Sequence, residues 1–182
     1  HDKEHLEFLI RLVPGGIVTT YVHEHLQEGH KVEIVAPFGE FYVRETSAQM
    51  ICVAGGSGMA PFKSIFQDML HRGTFDQRDI WYFFGARTKK DVFYLNWLYQ
   101  LDEEHERFHF VPALSEPQEE DEWNGPTGLI TEVLEGYLRD TISTDIEKEG
   151  YLCGSPGMLD ACIEVMHKFD MPEEKIYFDK FA

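Results

Sequence analysis

Hydrophobic positions fall into two textures along the chain. Up to about residue 46 they sit in short β-rich runs: residues 7–13 (EFLIRLV), 31–36 (KVEIVA) and, alternating more weakly, 38–43. Residues 20–27 (TYVHEHLQ) between them read as a short helix closed by Gly29. This first part is expected to be all-β. From Met50 the pattern changes to continuous apolar runs, the mark of strands buried on both faces. Residues 50–54 (MICVA) form the first, followed by a helical period over 61–72 that puts Phe62, Ile65, Phe66, Met69 and Leu70 on one face. A strand at 80–84 (IWYFF), a helix at 92–101 and a strand at 108–114 (FHFVPAL) come next. After a polar loop at 115–126 the pattern gives a helix at 128–139, a strand at 151–153, a helix at 157–169 and a strand at 175–178. Five apolar strands alternating with four helices predict an α/β domain with a five-stranded, parallel, doubly wound sheet. The organisation expected is therefore 1–46 as one part and 47–182 as the other.

Composition narrows the function classes. The 182 residues are 43% hydrophobic and carry a net charge of -17. A core of ordinary size can be buried, and so acidic a surface repels phosphate backbones and anionic lipid, which speaks against nucleic-acid and membrane-surface partners. The cysteines Cys52, Cys153 and Cys162 are odd in number and lack metal-ligand spacing, which points to a reducing compartment and no iron–sulfur cluster within the chain. His23 and His25, and likewise His105 and His109, have no carboxylate or thiolate at ligand spacing, so no metal site is expected. The acidic stretch 116–122 reads as a solvated loop.

Two motifs carry candidate chemistry. Gly55, Gly56, Ser57, Gly58, Met59, Ala60 and Pro61 end the first apolar strand and open a helix. There, glycines let a backbone approach a pyrophosphate and the helix start attracts it. The usual dinucleotide fingerprint is not met: Pro61 stands where the third glycine belongs, and no acid ends the second strand to bind a ribose hydroxyl. A ligand-free glycine turn is the plain alternative. The second motif, Cys153, Gly154, Ser155, Pro156, Gly157 and Met158, also joins a strand to a helix, and its plain alternative is a small buried cysteine in a tight turn.

The pairing of GGSGMAP with CGSPGM resembles the ferredoxin–NADP reductase superfamily, whose loops read G-G-x-G-x-A/T-P and C-G-x-P-x-M. Further stretches (36–41 APFGEF, 82–87 YFFGAR, 93–94 FY, 113–118 ALSEPQ, 123–128 WNGPTG and 179–181 DKF) resemble one branch of it. That branch comprises the NADH-oxidising, FAD-containing F subunits of sodium-translocating NADH:quinone oxidoreductases. The resemblance implies that residues 1–46 are the last strands of a flavin-binding β-barrel, with Gly16, Ile17, Val18 and Thr19 holding the FAD pyrophosphate. It implies that Gly55 to Pro61 cradle the pyrophosphate of NADH and that Gly85, Ala86 and Arg87 flank its adenosine. Cys153 would lie near the reacting nicotinamide carbon, beside Gly154, Pro156 and Met158, and Phe181 would stack on the flavin. The R-x-Y-S flavin motif of the family is expected just upstream of His1, so most FAD contacts would lie there. Ser155, Gly157 and Lys180 depart from the branch.

The expected activity is hydride transfer from NADH to FAD, then single electrons to an upstream iron–sulfur domain. The implied partners are that domain, the rest of the flavin barrel and a membrane respiratory complex, at the cytoplasmic face and anchored upstream. A monooxygenase reductase component and a non-catalytic nucleotide-sensing module are the alternatives. Arg87, Lys89 and Lys90 could bind a 2′-phosphate, but the branch has a similar basic stretch and uses NADH, so NADH is expected.

Overall fold

The computed structural model describes residues 5–36 and 38–180. The chain divides into two compact units, one running to residue 40 and one beginning at Phe41.

The second unit is built on five parallel strands: β1 (Gln49–Gly55), β2 (Ile80–Ala86), β3 (Phe108–Leu114), β4 (Lys148–Gly154) and β5 (Ile176–Lys180). Their order in the sheet is β3-β2-β1-β4-β5. The chain runs outward from β1 to β3, then returns to place β4 on the other side of β1. Strand order therefore reverses between β1 and β4, and the crevice at such a reversal is where open α/β sheets bind ligands.

The helices cover both faces, as the apolar runs require. In the first unit α1 spans Ile17–Glu24. In the second, α2 (Met59–Arg72) buries Met59, Phe62, Phe66 and Met69, the three-and-four spacing of one helical face. It stops at Gly73, whose left-handed φ of 68° lets Gly73 N–H reach Leu70 O and Thr74 N–H reach Met69 O. The layer beneath it is aromatic: the Tyr82 ring lies 5.1 Å from both Phe62 and Phe66, and Phe66 packs edge-on against Phe108. Helix α3 (Leu95–Glu104) joins this face, with Tyr99 edge-on to Phe110. On the opposite face α4 (Ile130–Asp140) and α5 (Pro156–Lys168) bury Ile130, Leu134 and Leu138, and Leu159, Cys162, Val165 and Met166, against Ile51, Val53, Phe83 and Leu152.

At the amino ends of the strands a buried ion pair anchors the chain where it enters the sheet. Arg78, 4% exposed, reaches Glu149, 0% exposed, at 3.2 Å. The guanidinium also donates to Thr46 Oγ1, Ala48 O and Arg44 O. Tyr151 OH and Thr46 OH each donate to the Glu149 carboxylate, completing its hydrogen bonding.

The first unit departs from the expected all-β pattern. Among its described residues helix α1 is the regular element and residues 7–13 and 31–36 form no ladder; residues 38–43, which run on into the second unit, form none either. The helix also lies three residues earlier than its periodicity indicates, over Ile17–Glu24. Phe8, Ile10, Leu12, Val32 and Ile34, side chains that made these runs read as strands, are exposed. Strands need partners on their edges and a face to bury, and one or two alone are marginal in water.

Candidate nucleotide site at the strand-order reversal

Register brings the two glycine-bearing turns together. Parallel pairing sets Ala54 of β1 opposite Cys153 of β4, and Gly55 opposite Gly85 of β2. The loop after β1 is a short 3-10 turn at Gly56–Gly58 that leads directly into α2. Gly56 has φ 56° with open space where a side chain would stand, leaving its backbone free for a ligand to approach. Gly58 packs so tightly against β4 that a Cβ would collide with the Cys153 carbonyl and lie 3.0 Å from Gly154 N. A Cβ on Gly55 would meet Met158 Sδ at 2.9 Å, and one on Gly154 would meet Met158 Cε at 2.7 Å. The thioether of Met158 thus fills the space between the two turns.

Two helices begin at this crevice. Neither α2 nor α5 has an acidic residue in its first turn or a side-chain cap on its first amides. The positive dipole ends of both helices and the open first-turn amides of α5 suit an anion, while at α2 the Met59 N–H is turned back onto Gly56 O and Ser57 O of the loop. Pro61 falls in the first turn of α2 and Pro156 at the first position of α5, where a missing N–H is harmless. Met59 and Ala60 complete the opening turn, and Met59 Sδ accepts a hydrogen bond from buried Tyr82 OH at 2.8 Å. Ser57 stands half-buried on the loop.

Cys153 is 0% exposed, and burial, with the nearby Asp179 charge, pushes its thiol up to about 12. The group stays protonated at neutral pH, so it offers shape and polarisability and no thiolate nucleophile. Of the family departures, Ser155 and Gly157 are exposed, and Lys180 is paired to Asp160 of α5 at 2.6 Å. Phe181 lies outside the described residues.

The β2–β3 side of the crevice holds a feature that local sequence did not reveal. The β2–β3 ladder continues past both strand ends, with Ser115 N–H donating to Ala86 O and Glu116 N–H to Arg87 O at 2.8 Å. Arg87 and Glu116 become neighbours and form a two-pronged pair, Nε to Oε1 at 3.1 Å and Nη2 to Oε2 at 2.8 Å. The hydrogen-bonded Arg87 guanidinium holds the Glu116 carboxyl below the usual carboxylate range. Lys90 lies 3.6 Å from Glu120, and Lys89 Nζ donates to Asp121 O. The acidic stretch is solvated as expected, with residues 116–120 and 122 exposed, and is in addition tied to the basic one. A strand-end acid is a known ribose signal, but this one comes from β3 and is identified only through the register. Gly85 packs beneath α4, where a Cβ would stand 3.0 Å from Ile130 Cβ.

In the first unit, Gly16 caps α1 and the backbone amides of Ile17 and Val18 open the helix with both side chains exposed. Thr19 Oγ1 accepts from Val13 N–H at 3.2 Å and lies 3.5 Å from Gly16 O, folding the turn against the helix start. These residues provide amides and a hydroxyl at a helix N-terminus, the donor set a pyrophosphate requires.

A parallel sheet with a glycine cradle and two helix starts at its strand-order reversal defines the class: a doubly wound nucleotide-binding domain. Comparison with known proteins gives the family. The chain belongs to the oxidoreductase NAD-binding domain family, which matches residues 52–164, and residues 1–42 match the oxidoreductase FAD-binding domain. The chain is 41% identical over 171 residues to the F subunit of the Na+-translocating NADH-quinone reductase of Idiomarina loihiensis, and 42% identical to that of Serratia proteamaculans. Both matches cover 93% of this chain and 41% of the relative, so the chain spans less than half their length. Among solved structures, the cytochrome P450 reductase GcoB of Amycolatopsis superposes with TM-score 0.80 at 29% identity, over 94% of this chain and 50% of that one. The cytochrome b5 reductase domain of Ulva prolifera nitrate reductase shares the fold, with TM-score 0.75 at 22% identity over 91% of this chain and 66% of that one.

Proposed function

We propose that this chain is the NADH-binding part of a flavin-dependent oxidoreductase that moves hydride from NADH to FAD and passes single electrons to an upstream iron–sulfur domain. The observation that carries the reading is the convergence, at one crevice, of the β1 glycine loop, the β4 turn at Cys153 and two uncapped helix starts. The residues fit the nucleotide. Gly55, Gly58 and Gly154 stand where a side chain would run into Met158 or the Cys153 backbone and part the two turns, and Gly56 presents open backbone. Gly55 to Pro61 cradle the pyrophosphate, through loop amides before Pro61, which has no N–H and shapes the turn, while Gly85, Ala86 and Arg87 lie at the adenosine end. Cys153, Gly154, Pro156 and Met158 wall the nicotinamide end, where the neutral thiol orients the ring and Met158 excludes water. In the first unit, Gly16, Ile17, Val18 and Thr19 hold the flavin pyrophosphate. Bound FAD supplies a hydride acceptor that can release its electrons one at a time. Phe181 is assigned the role of stacking on the flavin. Residues 1–46 are assigned to the flavin-binding part and 47–182 to the nucleotide-binding part.

The likeness to the F subunits of NADH-quinone reductases favours a quinone-type final acceptor and a place in a multi-subunit assembly. Among the described residues no helix is long and apolar enough to cross a membrane, and the reading puts any anchor upstream. The likeness to GcoB favours, as a second reading, a reductase that feeds a monooxygenase. Rapid mixing of the FAD-loaded protein with NADH tests the proposal. Flavin reduction should be slowed on the order of a hundredfold by Cys153→Ala, the scale that follows an ångström of misplacement, with folding unchanged. A protein that neither binds NADH nor reduces FAD refutes the proposed function; an unslowed Cys153→Ala refutes the role given to the thiol.

A further inference from the structure

The basic run Arg87, Lys89 and Lys90 invites an NADP reading, but the structure gives each of these cations an acidic-loop partner. We propose that Glu116 sets the nucleotide preference of this site. Held against Arg87 at the carboxyl ends of β2 and β3, it accepts the adenosine ribose hydroxyls of NADH and excludes a 2′-phosphate. The proposal rests on the nucleotide reading above and deepens it.

A 2′-phosphate is recognised by cations that lie free beyond the second strand. Here both prongs of the Arg87 fork already point at Glu116, at 2.8 and 3.1 Å. Lys90 faces Glu120 and Lys89 is bonded to Asp121 O. The two stretches that these contacts join, residues 87–91 and 116–122, carry the three cations and six carboxylates: Asp91, Glu116, Glu119, Glu120, Asp121 and Glu122. The local balance is therefore negative, and a phosphate near -2 enters against it.

The simplest objection is that an exposed pair such as this one, 74% and 53% exposed at its side chains, is weak and could open. Opening it does not remove the discrimination. The bond from Glu116 N–H to Arg87 O roots the two side chains side by side, so an opened carboxylate remains within reach of whatever Arg87 binds. A ribose diol meets the same carboxylate favourably. Each carboxylate oxygen gives one lone pair to Arg87 and retains another to accept from a hydroxyl.

ADP-ribose and 2′-phospho-ADP-ribose probe this half of the site without flavin or turnover, and calorimetry reads both affinities. The protein should bind ADP-ribose at least about tenfold more tightly than its phosphorylated analogue. Glu116→Gln should shrink that ratio about tenfold by tightening the phosphorylated probe, the scale of one close charge removed beside a dianion at a hydrated surface. Adding Arg87→Ala to Glu116→Gln should abolish the gain, and unchanged melting temperatures verify folding. The proposal is overturned if ADP-ribose binds but Glu116→Gln leaves the ratio unchanged, or if the native protein prefers the phosphorylated probe. Binding of neither probe overturns the nucleotide reading itself, and this proposal with it.

Discussion

Gly58→Ala tests the cradle most directly. The added Cβ would stand 2.6 Å from the Cys153 carbonyl carbon, whereas ordinary contact begins near 3.4 Å. The neighbours are backbone on both sides, so no side chain can swing away. Relief requires the start of α2 to part from the β4 turn by roughly an ångström, and overpacking of this kind typically costs about 1–3 kcal/mol of stability. The same shift displaces the amides proposed to hold the pyrophosphate, and a loss of about 1.4 kcal/mol in binding is already tenfold in Kd. Gly136→Ala provides the matched control. Gly136 lies inside α4 with nothing within 4 Å of its would-be Cβ, so alanine there should stabilise by about 0.5–1 kcal/mol through helix propensity. Urea denaturation followed by tryptophan fluorescence measures stability, and NADH titration measures binding. The reasoning is refuted if Gly58→Ala matches the native protein in both, or if the two substitutions shift stability in the same direction.

Arg78→Met should be severe although it lies at the opposite end of the strands. It strands a fully buried Glu149 carboxylate and removes the donor to Arg44 O and Ala48 O, a loss of about 3–5 kcal/mol. With an m-value of about 2 kcal/mol/M the urea midpoint should fall by about 1.5–2.5 M, and a shift under about 0.5 M counts against the buried pair. Alkaline stability should depend on the thiols. Cys52, Cys153 and Cys162 are all buried, and burial raises each above its ordinary range, Cys153 and Cys162 to about 12. A raised folded pKa means that the native state keeps protons which the unfolded state releases above its own pKa of about 8.5. Stability is therefore retained below that pH and falls as pH rises from about 9 towards 12, by about 1.4 kcal/mol per thiol per pH unit. Denaturation midpoints measured across this range should fall steeply, and less steeply when the cysteines are replaced by alanine; a flat profile contradicts the burial argument.

The sequence alone determined the alternation of strand and helix in the second unit, because parallel strands buried on both faces must be continuous apolar runs and their covering helices must carry one apolar stripe. Residues 50–54 and 80–84 were legible for that reason, and so were the helices that bury Phe62, Phe66, Leu134 and Leu138. The glycine loop and the Cys153 turn were legible as motifs because close backbone approach leaves glycine few substitutes. The tertiary structure alone decided how these pieces meet. Register, a cooperative property of the whole sheet, sets Ala54 beside Cys153 and fits Met158 between the turns. Register again carries Glu116 to Arg87, so an acid absent from the second strand is supplied by the third, which no local pattern encodes. The runs at 7–13 and 31–36 show the converse. Their β-rich composition is a local property, but a ladder is a property of paired strands, and among the described residues these two runs form no ladder.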